Sequence, residues 1–593
     1  LRKSPVPYDP AGRYQASQFL TPVLAKQTND MRLFSIISLG FMPTGIIAQD
    51  VFESAEFNVT EALLNNGVNV STLPGLSGLG ARSIVNGCSV IVSESLEHSL
   101  SGACGCCKNY RIGADSGGKC NSLKIIYGNE KVETQEEPGY DAVINYFWSM
   151  QQRAPKPFCI FKPEKAVEVS TLVLLSRLTQ CPFAVRSGGH AAFSGASSVE
   201  GGVTVTFEKM KQITLSKDKK IAAIESGNLW YDIYTNLQDD NLAVVGGRVS
   251  AIGIGGLTTG GGISFFSNQY GWACDNVASF EVVTASGRIV TASPSSFPDL
   301  FWALRGGGNN LGIVTRFNLE TFAHGPQMFG GQRRFFNTSF PAAIDAFINL
   351  GFNSGKDTKA AQFMAITLNA ASNTKVAIAE LEYADPVAEP AIFEEYRKIP
   401  AFSDTTQLNT LAYFTQQLNN SNPKGYRETY WTASSKLDRE MVQFVYDVSF
   451  EEFEKIRDIQ GILPANTLQI ITAPQLEQMQ KKGGNALGLT PVDGPILLIN
   501  LSMRWDKVED DARVLQANAN VVRRMQEEAK RRDMVNNYLY MNYASQYQDV
   551  IGSYGESMER LKSVAKKYDP TEVFQKLQPG YFKLDGPPVS TVL

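Results

Sequence analysis

Arg186-Ser-Gly-Gly-His190 and Gly253-Ile-Gly-Gly-Leu-Thr-Thr-Gly-Gly-Gly262 are the two stretches on which the reading of this chain turns. Each abuts an apolar run, and glycine-dense turns let backbone N–H groups close on a phosphate with no Cβ in the way. The pair therefore reads as a phosphate cradle carried on a sheet, and His190, one of only three histidines, sits at the end of its first turn. Neither stretch is the dinucleotide fingerprint Gly-x-Gly-x-x-Gly. Counted from Gly253 the sixth position is Thr258, and counted from Gly306 it is Leu311. No Walker lysine follows a glycine loop, and no Gly-x-Ser-x-Gly elbow is present. What remains is a backbone cradle for a pyrophosphate whose other parts are gripped in some other way.

Around the cradle the pattern alternates between helix and strand. Pro163 to Arg177 carries apolar residues at helical spacing behind a proline suited to a first turn, and Pro182 to Arg186 reads as a buried strand. Strands are expected at 202–207 and 220–225, a helix at 229–237, a hairpin turning at Ser286-Gly287, a short helix at 299–305 and a strand at 311–322. After His324 the glycine density falls. Longer amphipathic helices (437–459, 508–532) alternate with strands (361–368, 376–383), which makes residues 326–535 a second domain of α+β type. The last segment, 536–593, holds an aromatic strand, Tyr538 to Tyr543, and a helix at 556–568.

A chain of 593 residues exceeds one hydrophobic core, and a formal net charge of -4 without long like-charge runs gives no reason to expect nucleic acid or an anionic membrane as partner. His98, His190 and His324 have no metal-ligand spacing. Residues 1–48 form an extension whose segment 31–48 has the basic start, short apolar core and small residues of a secretory signal; it is too short to span a bilayer. The same segment also reads as a buried strand or helix. Sequons at Asn58, Asn69, Asn337, Asn419 and Asn500 agree with a secreted protein. Seven of eight cysteines precede residue 182, which in an oxidising compartment suggests disulfides near a loop-rich region at 49–140, in pairings that spacing does not settle.

The ordered set of Arg186 to His190, Gly253 to Gly262, Tyr270-Gly-Trp-Ala-Cys-Asp-Asn276, Phe301-Trp-Ala-Leu-Arg-Gly-Gly-Gly308, Leu311-Gly-Ile-Val314, Asn542-Tyr543 and Lys567 to Phe574 resembles the berberine bridge enzyme branch of the vanillyl-alcohol oxidase and p-cresol methylhydroxylase flavoproteins, in the wording of its fungal secreted members. The resemblance implies an α+β, two-domain flavoprotein. An FAD-binding domain at 141–325 is completed by 536–593, and the substrate domain, an antiparallel sheet covered by helices, lies over the isoalloxazine ring. It implies FAD bonded to His190, with Arg186, Ser187, Gly188, Gly189, Gly256, Thr258, Thr259, Gly261, Gly262, Cys274, Asn276 and Val314 around the cofactor. A histidine that only hydrogen-bonds the phosphate cradle is the plainer reading of His190. Many relatives carry a second flavin link through a cysteine four residues before the second glycine block. Here that position is Val249, so a single link through His190 is expected and Cys274 is read as a small buried thiol. The family further implies a Cys120–Cys159 disulfide.

The family's Tyr-x-Asn-Tyr sequence matches Tyr540-Met-Asn-Tyr543. It makes Tyr543 the candidate for taking a substrate proton, with Tyr540 and Asn542 beside it; a core aromatic with a satisfied hydroxyl is the alternative. Gly247 lies where relatives shape the space over the flavin, and its small size favours an oxidase over a dehydrogenase. The expected function is a secreted FAD-dependent oxidoreductase that passes hydride from an alcohol, sugar or secondary-metabolite substrate to FAD and then to dioxygen. An oxidative cyclase and a flavoprotein that binds ligand without turnover are the alternatives. Its expected partners are a small-molecule substrate and dioxygen.

Overall fold

The computed structural model of the chain describes residues 52–54, 56–73, 76 and 120–586. The signal-like segment 31–48, His98 and Cys88, Cys104, Cys106 and Cys107 lie outside them. In the first sheet the strands Cys159–Phe161, Val203–Thr206 and Phe183–Arg186 run parallel in that spatial order, and Val132–Thr134 joins antiparallel at the edge. Parallel strands need a crossover, and the helix Ala166–Thr179 supplies it between Cys159–Phe161 and Phe183–Arg186. That helix is buried on nearly every side, which accounts for its apolar run Leu172-Val-Leu-Leu175, and it stops at Gln180 in the left-handed conformation (φ 57°). Cys120 and Cys159 form the disulfide that the resemblance implied, tying the helix Asn121–Tyr127 to this sheet. Residues 49–140 are less loop-rich than expected where they are described, for Val59–Asn65, Asn121–Tyr127 and Pro138–Tyr146 are helices.

The second sheet is antiparallel, in the order Ile213–Leu215, Ile221–Glu225, Ile313–Ala323, Val277–Val283, Ile289–Ala292, with Leu242–Val244 against the end of its long central strand. The hairpin from Val277 to Ala292 turns at Ser286-Gly287, where Gly287 takes φ 75°.

The third sheet has nine antiparallel strands between Met328 and Asn536. Its central order is Met328–Phe336, Thr374–Tyr383, Ala360–Asn369, Leu463–Ile471, Ile496–Trp505, Arg427–Lys436. The helices Phe340–Asn353, Arg439–Glu454 and Asp511–Arg531 bury their apolar stripes against one face of it. Side chains alternate along each strand, so the other face is set by residues two apart, and these open on the site described below.

The expected aromatic strand Tyr538 to Tyr543 is not one. Residues 538–540 have no regular structure and Met541–Tyr543 is a single 3-10 turn. Tertiary contacts override the strand propensity here. The Tyr540 hydroxyl accepts from the Gly262 and Ile263 amides (3.0 and 3.2 Å) and from Asn542 Nδ2 (2.9 Å), which ties this segment to the second glycine stretch.

Candidate functional site

The two glycine stretches lie against each other. A Cβ on Gly188 would stand 2.3 Å from the Gly253 amide nitrogen, and one on Gly253 would stand 2.2 Å from that of Gly188. Ser187 knits them further, its hydroxyl donating to the Ser226 carbonyl (2.7 Å) and accepting from the Gly255 amide (3.1 Å). Gly256, at the start of the short helix Ile254–Thr259, has nothing near its missing Cβ and faces open space. Gly253→Ala is accordingly expected to cost roughly 1–3 kcal/mol through overpacking of backbone on backbone. Chemical denaturation, read together with bound flavin, checks this.

The cradle opens into a cavity of about 780 Å³ whose far wall is the open face of the third sheet. Gln332 and Arg334, Phe363 and Ala365 and Thr367, Ile378 and Glu380, Glu428 and Tyr430, Ala465 and Thr467 and Gln469, and Asn500 and Ser502 and Arg504 line it at the two-residue spacing of strands. Asn500 and Ser502 face this cavity, so the sequon at Asn500 is an interior one.

His190 lines the cavity with its ring stacked on Trp148, centroids 4.2 Å apart and planes 12° apart. Burial pushes its imidazole down to about 4, so the ring is neutral at physiological pH, and its buried Nε2 has no hydrogen-bond partner. A neutral imidazole with an uncommitted nitrogen is a nucleophile and ligand-seeking group.

Tyr543 also lines the cavity, and its hydroxyl oxygen accepts from Arg248 Nη2 (2.7 Å) and Gln469 Nε2 (2.9 Å). Arg248 Nη2 donates to Gln469 Oε1 as well (2.7 Å), and the guanidinium lies 5.0 Å from the Phe363 ring centre. This three-residue cluster joins the cradle loop, the third sheet and the C-terminal segment. Sequence reasoning found Tyr543 and missed both partners, although Arg248 is the immediate neighbour of Val249, which also lines the cavity.

The remaining charged groups of the cavity wall were also missed. Burial lifts the Glu380 carboxyl to about 7 and pushes its neighbour Glu382 well above the carboxylate range, where the Glu380 charge adds to the effect. Burial lifts Glu428 to about 9, against the opposing pull of Arg504. The folded protein thus holds a proton on Glu428 that the unfolded chain releases near 4.5. Stability falls as pH rises through the window from about 4.5 to about 9, and the loss is complete above it. Glu428→Gln removes that dependence and is expected to stabilise the fold by roughly 3 kcal/mol at pH 7. Denaturant midpoints measured across pH 5 to 9 would show a flatter profile, and an unchanged slope would refute the assignment.

Of the other sequence candidates, Ser187, Gly188, Gly189, Gly256, Thr259, Val314, Tyr540 and Asn542 line the cavity. Thr259 accepts at its carbonyl from the Gly306 and Gly308 amides, and Asn542 Nδ2 donates to the Leu257 carbonyl. The structure does not bring Arg186, Thr258, Gly261, Gly262, Cys274 or Asn276 onto the cavity wall. Arg186, the last residue of the strand Phe183–Arg186, is buried and donates to Thr206 Oγ1 and the Val143 carbonyl. Thr258 is fully buried. Gly261 and Gly262 take φ 117° and 93°, and a Cβ on them would strike Trp272 and Leu257. Cys274 is a buried free thiol beside Asp275, and Asn276 donates to the Tyr270 and Trp272 carbonyls. Gly247 is also absent from the wall. A Cβ there would lie 2.5 Å from Trp230 Cδ1, so packing against Trp230 is a second reason for its small size. Among the described residues no cluster suits a metal ion, and no helix is long and apolar enough to cross a membrane.

A dinucleotide with a flat ring system fits what is present. The cradle has a gap at Gly256 where a Cβ would stand, and two residues of the cavity wall, His190 and Gln578, each hold a buried polar atom without a partner, Nε2 and Oε1. Residues 157–293 match the model of the FAD binding domain family. The chain is 36% identical over 458 residues to the FAD-dependent monooxygenase tpcD of Cochliobolus heterostrophus, an alignment covering 75% of this chain and 88% of that one. Among solved structures it is similar to 6-hydroxy-D-nicotine oxidase from Arthrobacter nicotinovorans, with a TM-score of 0.63 at 19% identity, covering 75% of this chain and 96% of the other. It is similar in the same degree to a variant of berberine bridge enzyme described as a reticuline dehydrogenase, with a TM-score of 0.63 at 16% identity, covering 76% and 97%.

Proposed function

Because the chain belongs to the family of fungal FAD-dependent monooxygenases and has the fold of the berberine-bridge-type flavoproteins, we propose that it oxidises a small organic molecule by hydride transfer to FAD tethered through His190 alone, and that dioxygen then takes the electrons as hydrogen peroxide. The observation that carries the reading is the Tyr543 hydroxyl, held by Arg248 and Gln469 on the cavity shared by the glycine cradle and His190.

FAD, when bound, supplies the two-electron acceptor. The protein's part is to seat it and to manage the proton. The amides and open positions around Gly188, Gly253 and Gly256 suit the pyrophosphate, and the unpartnered His190 nitrogen suits a covalent bond. Val249 has no thiol to offer a second one. Tyr543 is placed to take the proton that leaves as the substrate is oxidised. Arg248 sets a positive charge 2.7 Å from the phenolate oxygen that takes the proton and becomes the neutral phenol, and Gln469 fixes the direction of its lone pairs. Tyr540 and Asn542 hold the cradle loop against this segment and so act by positioning. Secretion belongs to the same proposal, supported by the Cys120–Cys159 disulfide.

The test is a visible spectrum of the purified protein, then anaerobic reduction by candidate substrates and readmission of air. A flavin spectrum that bleaches and returns with one peroxide per turnover supports an oxidase; a spectrum that no substrate bleaches supports a binding protein. The relatives named as monooxygenases favour a second reading, in which an atom of dioxygen enters the product. Isotopically labelled dioxygen separates the two.

A further inference from the structure

The charged side chains on the cavity wall other than His190 are Arg248, Arg334, Arg504, Glu380 and Glu428. Among the described residues none of the three arginines forms an ion pair with a carboxylate: Arg248 is held by Gln469 and Tyr543, and Arg334 by Gln332. Burial shifts both glutamates toward their neutral forms, so the wall carries excess positive charge. The phosphate cradle lies on the opposite side, at Gly188 and Gly253, and leaves the charge on the sheet unanswered.

Arg504 is the sharpest case. It stands directly across from Glu428 in the register of two central strands, a placement that ordinarily gives a salt bridge, yet its guanidinium makes no ion pair within 4 Å and no hydrogen bond. Its guanidinium rests on the Tyr426 ring, 5.0 Å from the centre. A protonated Glu428 leaves the arginine's charge free, and its hydroxyl hydrogen is available as a donor. On the same strand and the same face is Asn500, 8% exposed, whose Oδ1 is buried without a partner. Arg504 is thus placed for a ligand that brings a negative charge, and Asn500, two pleat repeats away along the strand, for a donor elsewhere on the same ligand.

We propose that this corner binds an acid group of the substrate, a carboxylate or an equally acidic function, and so selects anionic substrates; the proposal rests on the oxidoreductase reading above. The geometry also sets a length. Arg504 lies one pleat repeat beyond Ser502, which pairs with Tyr430, a step of roughly 7 Å. The Tyr430 ring in turn is 6.5 Å from that of Tyr543. The acid group therefore sits on the order of 10 Å from the atom that is oxidised.

The experiment titrates the flavin-loaded protein with para-coumarate and, separately, with its neutral amide, reading the perturbation of the flavin absorbance. The wild type is expected to bind the acid roughly tenfold or more tightly than the amide, the effect of one hydrogen bond to a charged group. Arg504→Gln should bring the two affinities to within about twofold, and Arg504→Lys should restore part of the preference. An unchanged flavin spectrum in both variants confirms that the fold and cofactor are intact. Equal affinities in the wild type, failure of both compounds to bind, or a preference that survives in Arg504→Gln would overturn the assignment while leaving the oxidoreductase reading in place. Protein that carries no flavin overturns both.

Discussion

Tyr543→Phe is expected to lower turnover about a hundred- to ten-thousandfold, the usual contribution of a positioned proton acceptor, with flavin content and spectrum unchanged. The substitution removes one oxygen and keeps the ring that packs edge-on to Tyr540 at 4.7 Å. Arg248 and Gln469 remain bonded to each other at 2.7 Å, so the guanidinium keeps one of its two partners. The loss should fall on kcat and kcat/KM alike, because the interaction removed is one realised as the proton leaves. Anaerobic stopped-flow reduction is the direct measurement. A variant that reduces as fast as the wild type would show that Tyr543 is only a packed aromatic, and Arg248 would then need another reason to point at it. Arg248→Lys is a useful companion, since a lysine keeps the charge and loses the fork that reaches Gln469 and Tyr543 together. It should fall between the wild type and Tyr543→Phe.

His190→Ala is expected to abolish acid-stable flavin. The wild-type precipitate should stay yellow in trichloroacetic acid, and that of the variant should release its colour into the supernatant. Burial holds the His190 ring neutral, the ring is stacked on Trp148, and its Nε2 has no hydrogen-bond partner. If His190 carries the flavin, removing it should also lower the flavin potential and slow the oxidation of difficult substrates. Peptide mapping of the wild type should find flavin on the His190 peptide and none on the Cys274 peptide, for that thiol is buried, pushed well up by its burial, and away from the cavity wall. A wild-type precipitate that loses all colour would refute the tether, leaving His190 as a wall of the flavin site.

How far these residues could be read beforehand depended on how local their reasons are. The glycines of 188–189 and 253–256 were legible because a tight backbone approach is written in consecutive residues. The helix Ala166–Thr179 and the strand Phe183–Arg186 were legible for the same reason, since uninterrupted apolar runs mark buried elements, whereas their parallel pairing with Cys159–Phe161 and Val203–Thr206 was not. The Tyr538–Tyr543 segment misled because strand propensity is weak against a hydroxyl claimed by two distant amides. Gly247 carries two readings: a glycine looks alike in sequence whether it clears a path for dioxygen or makes room for Trp230.

By itself, the order of short motifs along the chain determined the fold, the cofactor class and several residues of the cavity wall, His190 and Tyr543 among them. Each belongs to a segment whose chemistry is complete within a few residues. Only the tertiary structure decided what surrounds them. Arg248 and Tyr543 are 295 residues apart, and Arg248 and Gln469 are 221 apart. A strand's two-residue period tells which side chains share a face, but not which neighbour they will meet or how much water they will lose. The proton on Glu428 and the unpaired charge on Arg504 follow from that lost water, and desolvation is a property of the assembled cavity.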